Sequence, residues 1–102
     1  MNRTSEYDFT VVVPIYNESA NMEKLETAFR DYLAAASRPT CVLFVNDGSS
    51  DDSLQGIRTL CERVAHCYYI SFARNAGLSA AIKAGIDCVG SPLVGYIDAD
   101  LQ

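Results

Sequence analysis

Two aspartates near the C-terminus of the sequence are spaced so that they can share one cation. Asp98 and Asp100 flank Ala99 directly after the apolar run 93–97. A turn at the end of an extended strand can aim both carboxylates into one site. Carboxylate oxygens suit Mg²⁺ or Mn²⁺, and the amide oxygen of Gln102 offers a further ligand. The triplet taken alone is equally typical of a solvated strand end.

Polar side chains also follow the other apolar runs of the sequence. In an open α/β sheet the carboxyl ends of parallel strands share one edge, and ligands bind there. The segments that we expect at this edge are Tyr16-Asn17-Glu18, Asn46-Asp47 and Arg74-Asn75. Each has a structural alternative: Tyr16 can simply pack, Glu18 can interact with a helix dipole, Asp47 can form an Asx turn, and Arg74 can form a surface ion pair.

The elements that must position these side chains alternate regularly along the chain. Runs rich in β-branched residues predict strands at 9–15, 41–45, 67–72 and 93–97. Apolar residues at three- and four-residue spacing predict helices between the strands. The first would be capped by Ser19 and end near 37–39, and the second would be capped from the turn 46–50. The third would bear the apolar face Leu78, Ile82, Ile86 and Val89. This βαβαβαβ order predicts an α/β fold in which helices flank a parallel sheet.

Three segments together resemble the motifs of glycosyltransferase family 2. They are 14–18 (Pro-Ile-Tyr-Asn-Glu), 45–51 (Val-Asn-Asp-Gly-Ser-Ser-Asp) and 98–102 (Asp-Ala-Asp-Leu-Gln). The similarity runs from about Val11 to Gln102, and the last segment is most similar to the polyprenyl-phosphate and dolichyl-phosphate glycosyltransferases. It implies a Rossmann-like GT-A nucleotide-binding half with strand order 3-2-1-4. Residues 9–102 would form this truncated part, and 1–8 a polar N-terminal arm.

The resemblance assigns roles to individual residues of the donor site. Pro14 and Tyr16 would flank the base, Glu18 would reach the ribose or base, and Asp47 would accept a hydrogen bond from a base N–H. Arg74 would contact the diphosphate or a ribose oxygen, and Asp98 would contact the ribose or the waters of the metal. Gly77 and Gly85 would allow the third helix to approach the nucleotide pocket or the sheet closely. Relatives often have Asp where this chain has Asn46, so a second carboxylate is missing there.

The resemblance also implies a metal and a reaction. Asp100 and Gln102 would bind Mg²⁺ or Mn²⁺ directly, and Asp98 and Asp100 would be the catalytic carboxylates. The reaction would be inverting transfer of a sugar from a UDP- or GDP-linked donor, with polyprenyl phosphate as the acceptor of the full-length protein. A saccharide acceptor, or a fragment that binds nucleotide sugar without catalysis, remains an alternative. We expect little transferase activity from these 102 residues alone.

Composition excludes several other classes of protein. The net charge of −5 and the absence of basic clusters argue against a nucleic-acid partner. No apolar run is long enough to span a bilayer, which predicts a cytoplasmic location, at the cytoplasmic membrane face for the full-length protein. The first strand lacks the Gly-x-Gly-x-x-Gly turn of dinucleotide oxidoreductases and the acidic pair of phosphoacceptor modules. The four cysteines are expected to be free thiols. Strand four would be an exposed apolar edge, which predicts homo-oligomers.

Overall fold

Four parallel strands and three α-helices form the main elements of residues 3–99. A computed structural model describes residues 3–99. The strands are β1 (Phe9–Ile15), β2 (Thr40–Asn46), β3 (Cys67–Ser71) and β4 (Leu93–Tyr96), and the helices are α1 (Met22–Ala35), α2 (Ser53–Arg63) and α3 (Leu78–Cys88). The strand order is β3-β2-β1-β4, with every pairing parallel. Both the α/β class and the predicted order are confirmed.

The two central strands carry the core. From Thr10 to Ile15 every residue of β1 is buried, and so is every residue of β2. Their β-branched side chains pack on both faces of the sheet, which is the pattern of a strand covered by helices on each side. The outer strands are more exposed. The first two apolar runs of the sequence therefore define the centre of the molecule.

The helices are divided between the two faces of the sheet. On one face, α1 and α2 pack on the sheet through the larger core cluster, where the rings of Phe29 and Phe44 meet edge to face at 5.6 Å. On the other face, α3 contributes Ala81 to the smaller cluster with Val12 and Val45. The connection from β3 to β4 thus crosses to the opposite face, and strand order reverses between β1 and β4.

The buried face of α3 differs from the predicted one. Ala81 and Gly85 face the sheet, whereas Leu78 and Ile86 are 58% and 43% exposed. A Cβ atom on Gly85 would lie 2.5 Å from Cγ1 of Val12, so the helix lies very close to the sheet. Small residues permit that approach and therefore take the inward face. The close approach predicted at Gly85 is confirmed.

Both predicted helix caps are wrong. Ser19 begins a short 3₁₀ turn that precedes α1, and Asn21 at the start of α1 makes no side-chain capping bond. At α2 the preceding residue is Asp52, outside the turn 46–50, and it makes no capping bond either. Instead, Asp51 accepts hydrogen bonds from the backbone N–H groups of Ser19 (3.2 Å) and Ser53 (2.9 Å).

Residues 3–8 of the N-terminal arm are folded against the end of the sheet opposite the predicted site. Arg3–Glu6 form a 3₁₀ turn whose Thr4 is buried and accepts a hydrogen bond from the N–H of Gly90 at 2.8 Å. The Tyr7 hydroxyl lies 2.8 Å from Nδ1 of His66 and 2.7 Å from the Tyr68 hydroxyl. Burial and the bond to Tyr68 raise the pKa of Tyr7. The arm is thus an integral part of the fold.

Strand β4 lies at the edge of the sheet and exposes apolar side chains. Its residues Leu93 and Tyr96 are 48% and 57% exposed, and Val94 and Ile97 are exposed as well. The association predicted from this edge stays a prediction. No helix within residues 3–99 is both long enough and apolar enough to cross a bilayer.

The four cysteines are free thiols. Burial raises the pKa of Cys61 and of Cys67 to about 12, so both thiols stay protonated near neutral pH. A protonated thiol is a poor nucleophile and a poor metal ligand.

The close contact at Gly85 makes a testable prediction. Replacing Gly85 with Ala adds a methyl group against the buried side chains of Val12 and Val45, so we expect a loss of about 1–2 kcal/mol despite the better helix propensity of Ala. The control is Ser79→Ala, because Ser79 is an exposed residue of the same helix and its replacement adds no atom against the sheet. Urea unfolding measures both. Equal stability of the two variants would contradict the packing account.

Candidate functional site

A cleft lies at the carboxyl ends of the strands, where strand order reverses. It measures about 350 Å³ and lies among the end of β1, the turn after β2, the start of α3 and the residues that follow β4. Open α/β sheets bind ligands at this position. Its lining residues are Pro14, Ile15, Tyr16, Glu18, Asp47, Asn75, Gly77, Leu78, Asp98 and Ala99. The cleft therefore contains all but one of the predicted nucleotide-binding residues, and the exception is Arg74.

The carboxylate of Asp47 joins β2 to the start of α3. Its Oδ1 accepts a hydrogen bond from the N–H of Ala76 at 2.7 Å, and its Oδ2 accepts bonds from the N–H of Gly77 at 3.0 Å and from Nδ2 of Asn75 at 2.9 Å. Asp47 is only 3% exposed. These bonds occupy three of the carboxylate's roughly four acceptor positions. Asp47 thus holds the loop 75–77 in place and keeps about one position for a ligand.

Gly48 makes this closure sterically possible. Its φ of 61° lies in the left-handed region, and a Cβ atom there would lie 2.1 Å from the carbonyl carbon of Arg74. The turn after β2 and the loop after β3 are therefore in backbone contact, which only glycine allows. Gly77 also has a positive φ, 102°, but a Cβ atom on it would meet nothing within 4 Å. Gly77 lines the cleft, so the close approach to the nucleotide pocket predicted there stays a prediction.

A second set of bonds fixes the opposite wall of the cleft. Asn17, with a φ of 54°, accepts hydrogen bonds from the backbone N–H groups of Ser50 (2.8 Å) and Asp51 (3.3 Å). Asn tolerates this left-handed conformation better than most residues. Burial acts to raise the pKa of Asp51, but hydrogen bonds from Ser53 and Ser19 outweigh it and hold that pKa at about 2. The loop after β1 is thereby tied to the loop after β2.

The predicted base and ribose contacts have distinct environments. Pro14 is buried at the end of β1, and Tyr16 presents 48% of its side-chain surface to the solvent. Glu18 is half-buried, accepts a hydrogen bond from Nδ2 of Asn21 at 2.7 Å, and precedes the 3₁₀ turn. Glu18 thus lies at a helical start and also lines the cleft, and its contact with the ribose or base stays a prediction.

Asp98 differs from Asp47 in having no competing partners. It is exposed, lines the cleft, and accepts no hydrogen bond from any residue of the described range 3–99. Its carboxylate is thus available to a ligand. The predicted metal ligands Asp100 and Gln102 lie outside the described residues, and within 3–99 no three His, Cys, Asp or Glu side chains converge as a metal site would require.

The electrostatic character of the cleft is acidic. Glu18, Asp47 and Asp98 line it, and none of the described lining residues is Lys, Arg or His. Arg74 is exposed and does not line the cleft, although its backbone lies against Gly48. A phosphate-bearing ligand placed here would need a cation to compensate the charge.

Two cleft residues have roles that sequence reasoning did not assign. Asn75 was expected at this edge of the sheet, but its hydrogen bond to Asp47 was not predicted. Leu78 was predicted to face the core, because its spacing fits the apolar period of α3. The side chain of Asn46 donates to Oγ of Ser71 at 3.0 Å and accepts from Oγ of Ser49 at 2.6 Å. Its amide thus ties β2 to β3.

Comparison with known proteins points to a single family. The model of glycosyl transferase family 2 matches residues 10–102. The uncharacterized glycosyltransferase YkcC of Bacillus subtilis (strain 168) is 34% identical over 102 residues, which are 100% of this chain and 31% of that protein. The undecaprenyl-phosphate 4-deoxy-4-formamido-L-arabinose transferase of Klebsiella pneumoniae (strain 342) is 35% identical over 94 residues, 91% of this chain and 29% of that protein. The chain thus spans about a third or less of these curated relatives.

Solved structures show the same fold at lower sequence identity. The S. aureus TarS 1-349 complex with UDP-GlcNAc has a TM-score of 0.76 at 21% identity, covering 91% of this chain and 26% of that one. The mannosyltransferase PcManGT from Pyrobaculum calidifontis, in complex with GDP-Man and Mn²⁺, has a TM-score of 0.75 at 23% identity, covering 92% and 28%. The GT-A architecture predicted from the sequence is confirmed.

The hydrogen bonds between Asp47 and the loop 75–77 can be tested by one isosteric substitution. Asp47→Asn replaces an acceptor oxygen with an NH₂ group that faces an N–H donor, so we expect a loss of about 2 kcal/mol. Hydrogen exchange at Ala76 and Gly77 should accelerate. Asp52→Asn is the control, because Asp52 is exposed and makes no capping bond. Identical unfolding curves for the two variants would show that the hydrogen bonds of Asp47 do not stabilise the loop 75–77.

The depressed pKa of Asp51 predicts a dependence of stability on pH. Its folded pKa of about 2 is below the unfolded value near 3.9, so its contribution is full above about pH 4 and is lost as the pH falls toward 2. Asp51→Asn should therefore have a lower free energy of unfolding than the unchanged protein at pH 6. At pH 2.5 the difference in free energy of unfolding between the two proteins should be smaller. Urea unfolding at the two pH values measures this. A difference that is equal at both would contradict the assignment.

Proposed function

The chain belongs to glycosyl transferase family 2, and from that membership we propose that it forms the donor-binding part of an inverting sugar transferase. The observation that carries the proposal is the cleft where strand order reverses. It combines an exposed aromatic side chain, Tyr16, with an uncommitted carboxylate, Asp98. A nucleoside diphosphate sugar has a flat base at one end and a charged diphosphate at the other, and these two features match its chemistry.

The base and ribose would bind along the β1 and α3 side of the cleft. Pro14 and Tyr16 would flank the base, and Glu18 would reach the ribose or base. Asp47 has about one acceptor position left after its three bonds to the loop 75–77, and a base N–H would fill it. Gly77 borders open space, so a ligand can approach its backbone closely. Both uracil and guanine present an N–H that an acidic acceptor can recognise.

The diphosphate would bind near Asp98 with a divalent cation. The described lining residues offer carboxylates and no basic side chain, and such a donor set fits Mg²⁺ or Mn²⁺. Asp100 and Gln102 would hold the metal directly, and Asp98 would contact its waters or the ribose. When bound, the metal would neutralise charge on the departing diphosphate. The structural neighbour PcManGT was solved with GDP-Man and Mn²⁺, which supports the choice of cation.

The transfer itself would invert the configuration of the sugar. An acceptor oxygen would attack the anomeric carbon from the face opposite the diphosphate, and the walls of the cleft would hold the donor in that orientation. The bonds of Asn17 and Asp47 fix both walls before the donor arrives, so little ordering is left for the binding step.

We assign polyprenyl phosphate as the acceptor class. The support is the 35% identity to a relative named as an undecaprenyl-phosphate transferase. A lipid phosphate is already anionic and needs little help from a general base. Such an acceptor would place the full-length protein at the cytoplasmic face of the membrane.

Calorimetric titration tests the donor site. UDP and GDP are titrated into the protein with and without Mn²⁺, and we expect one of them to bind in a metal-dependent way. Asp100→Ala should weaken that binding by at least about tenfold, because a metal ligand is lost. The control is Asp31→Ala, an exposed aspartate of α1 on the far face of the sheet. Absence of binding to a folded sample, or binding that ignores both Mn²⁺ and the variant, would contradict the proposal.

A further inference from the structure

Leu78 is an apolar side chain in an unusual position. It is 58% exposed, the highest value among the exposed large apolar residues of the described range, and it lines the cleft. It is also the first residue of α3, whose residue Ala81 is buried against the sheet. Exposure of a leucine at the mouth of a cleft leaves apolar surface for a ligand to bury.

The exposed position of Leu78 is fixed by the fold. The preceding residues Ala76 and Gly77 are both bonded to the buried carboxylate of Asp47. The carbonyl of Gly77 accepts the first bond of the helix, from the N–H of Ala81 at 3.0 Å. The start of α3 is thus held from both sides, and Leu78 is presented on a rigid support that needs no rearrangement before a ligand binds.

The chemistry of the neighbouring surface indicates which part of a ligand would cover Leu78. Tyr16 lines the same cleft from the end of β1 and is 48% exposed, so two large apolar side chains on separate elements border one space. A phosphate or a sugar hydroxyl gains nothing from a leucine methyl group. A nucleobase has flat apolar faces and polar edges, and both kinds of partner occur in this cleft, since Asp47 supplies the polar one.

We propose that Leu78 is a base-contacting residue of the donor site and that it covers the nucleobase together with Tyr16. The proposal rests on the proposed function. It adds to that function a wall of the base pocket that α3 supplies, next to the backbone of Gly77. Leu78 would then contribute to affinity for the nucleoside part of the donor and not for its diphosphate.

The test compares Leu78→Ala with Ile86→Ala in calorimetric titrations. Ile86 is a matched control, because it is an exposed apolar residue of the same helix and does not line the cleft. Leu78→Ala should weaken binding of the preferred nucleotide, UDP or GDP with Mn²⁺, by about fivefold. Pyrophosphate with Mn²⁺ should bind the two variants equally. Ile86→Ala should bind the nucleotide as the unchanged protein does.

A direct readout comes from ¹³C-methyl NMR, with the Leu78 methyl signals identified by their loss in Leu78→Ala. Nucleotide should shift these signals upfield through the ring current of the base, whereas pyrophosphate should not. One outcome is that the unchanged protein binds nucleotide while Leu78→Ala has the same Kd and nucleotide leaves the Leu78 methyl signals in place. In that case the inference fails and the proposed function stands. If no nucleotide binds, both fail. Methyl shifts that follow protein concentration without nucleotide would assign Leu78 to a contact between copies and overturn the inference.

Discussion

One buried carboxylate connects the parts of the cleft. Asp47 stands at the end of a fully buried strand and binds three N–H groups of the loop that leads into α3. A buried negative charge without partners would be costly, so the loop must fold onto it for the structure to be stable. The same bonds satisfy the N–H groups of Ala76 and Gly77, the two residues that directly precede α3. The position of α3, and with it one wall of the cleft, follows from this contact.

The architecture was predictable because burial leaves a strong trace in the sequence. The run Phe9–Ile15 is covered on both faces, and its nearly unbroken β-branched character reflects that burial. The helix starts were not predictable in the same way. Asp51 binds the N–H of Ser19, a residue in another loop, and no local pattern signals such a partner. Sequence reasoning assigns a helix cap to the nearest suitable side chain. Here the carboxylate of Asp51, which is distant in the sequence, binds the N–H of Ser19 instead.

The candidate site shows the same division between local pattern and spatial arrangement. Strand ends were predicted to meet at one edge, and the cleft brings together Tyr16, Asp47 and Asp98 as expected. The role of Leu78 was predicted wrongly, because helical periodicity gives the direction of a side chain but not whether the sheet extends beneath it. Asp47 was assigned to a ligand or to its own turn. The sequence contains no indication that the loop after β3 occupies most of the acceptor positions of the Asp47 carboxylate.

The arrangement of the strands has a consequence for the order in which the protein can fold during synthesis. Of the strands within residues 3–99, β1 leaves the ribosome before the others, and it is a central strand that lies between β2 and β4. One edge of it therefore has no partner until residues 93–96 have been made. The N-terminal 3₁₀ turn also depends on a late residue, because Thr4 accepts a hydrogen bond from the N–H of Gly90. Within residues 3–99, the segment that is made early thus gains its last partners late, and a nascent chain must keep the apolar strand β1 protected until residues 93–96 have emerged.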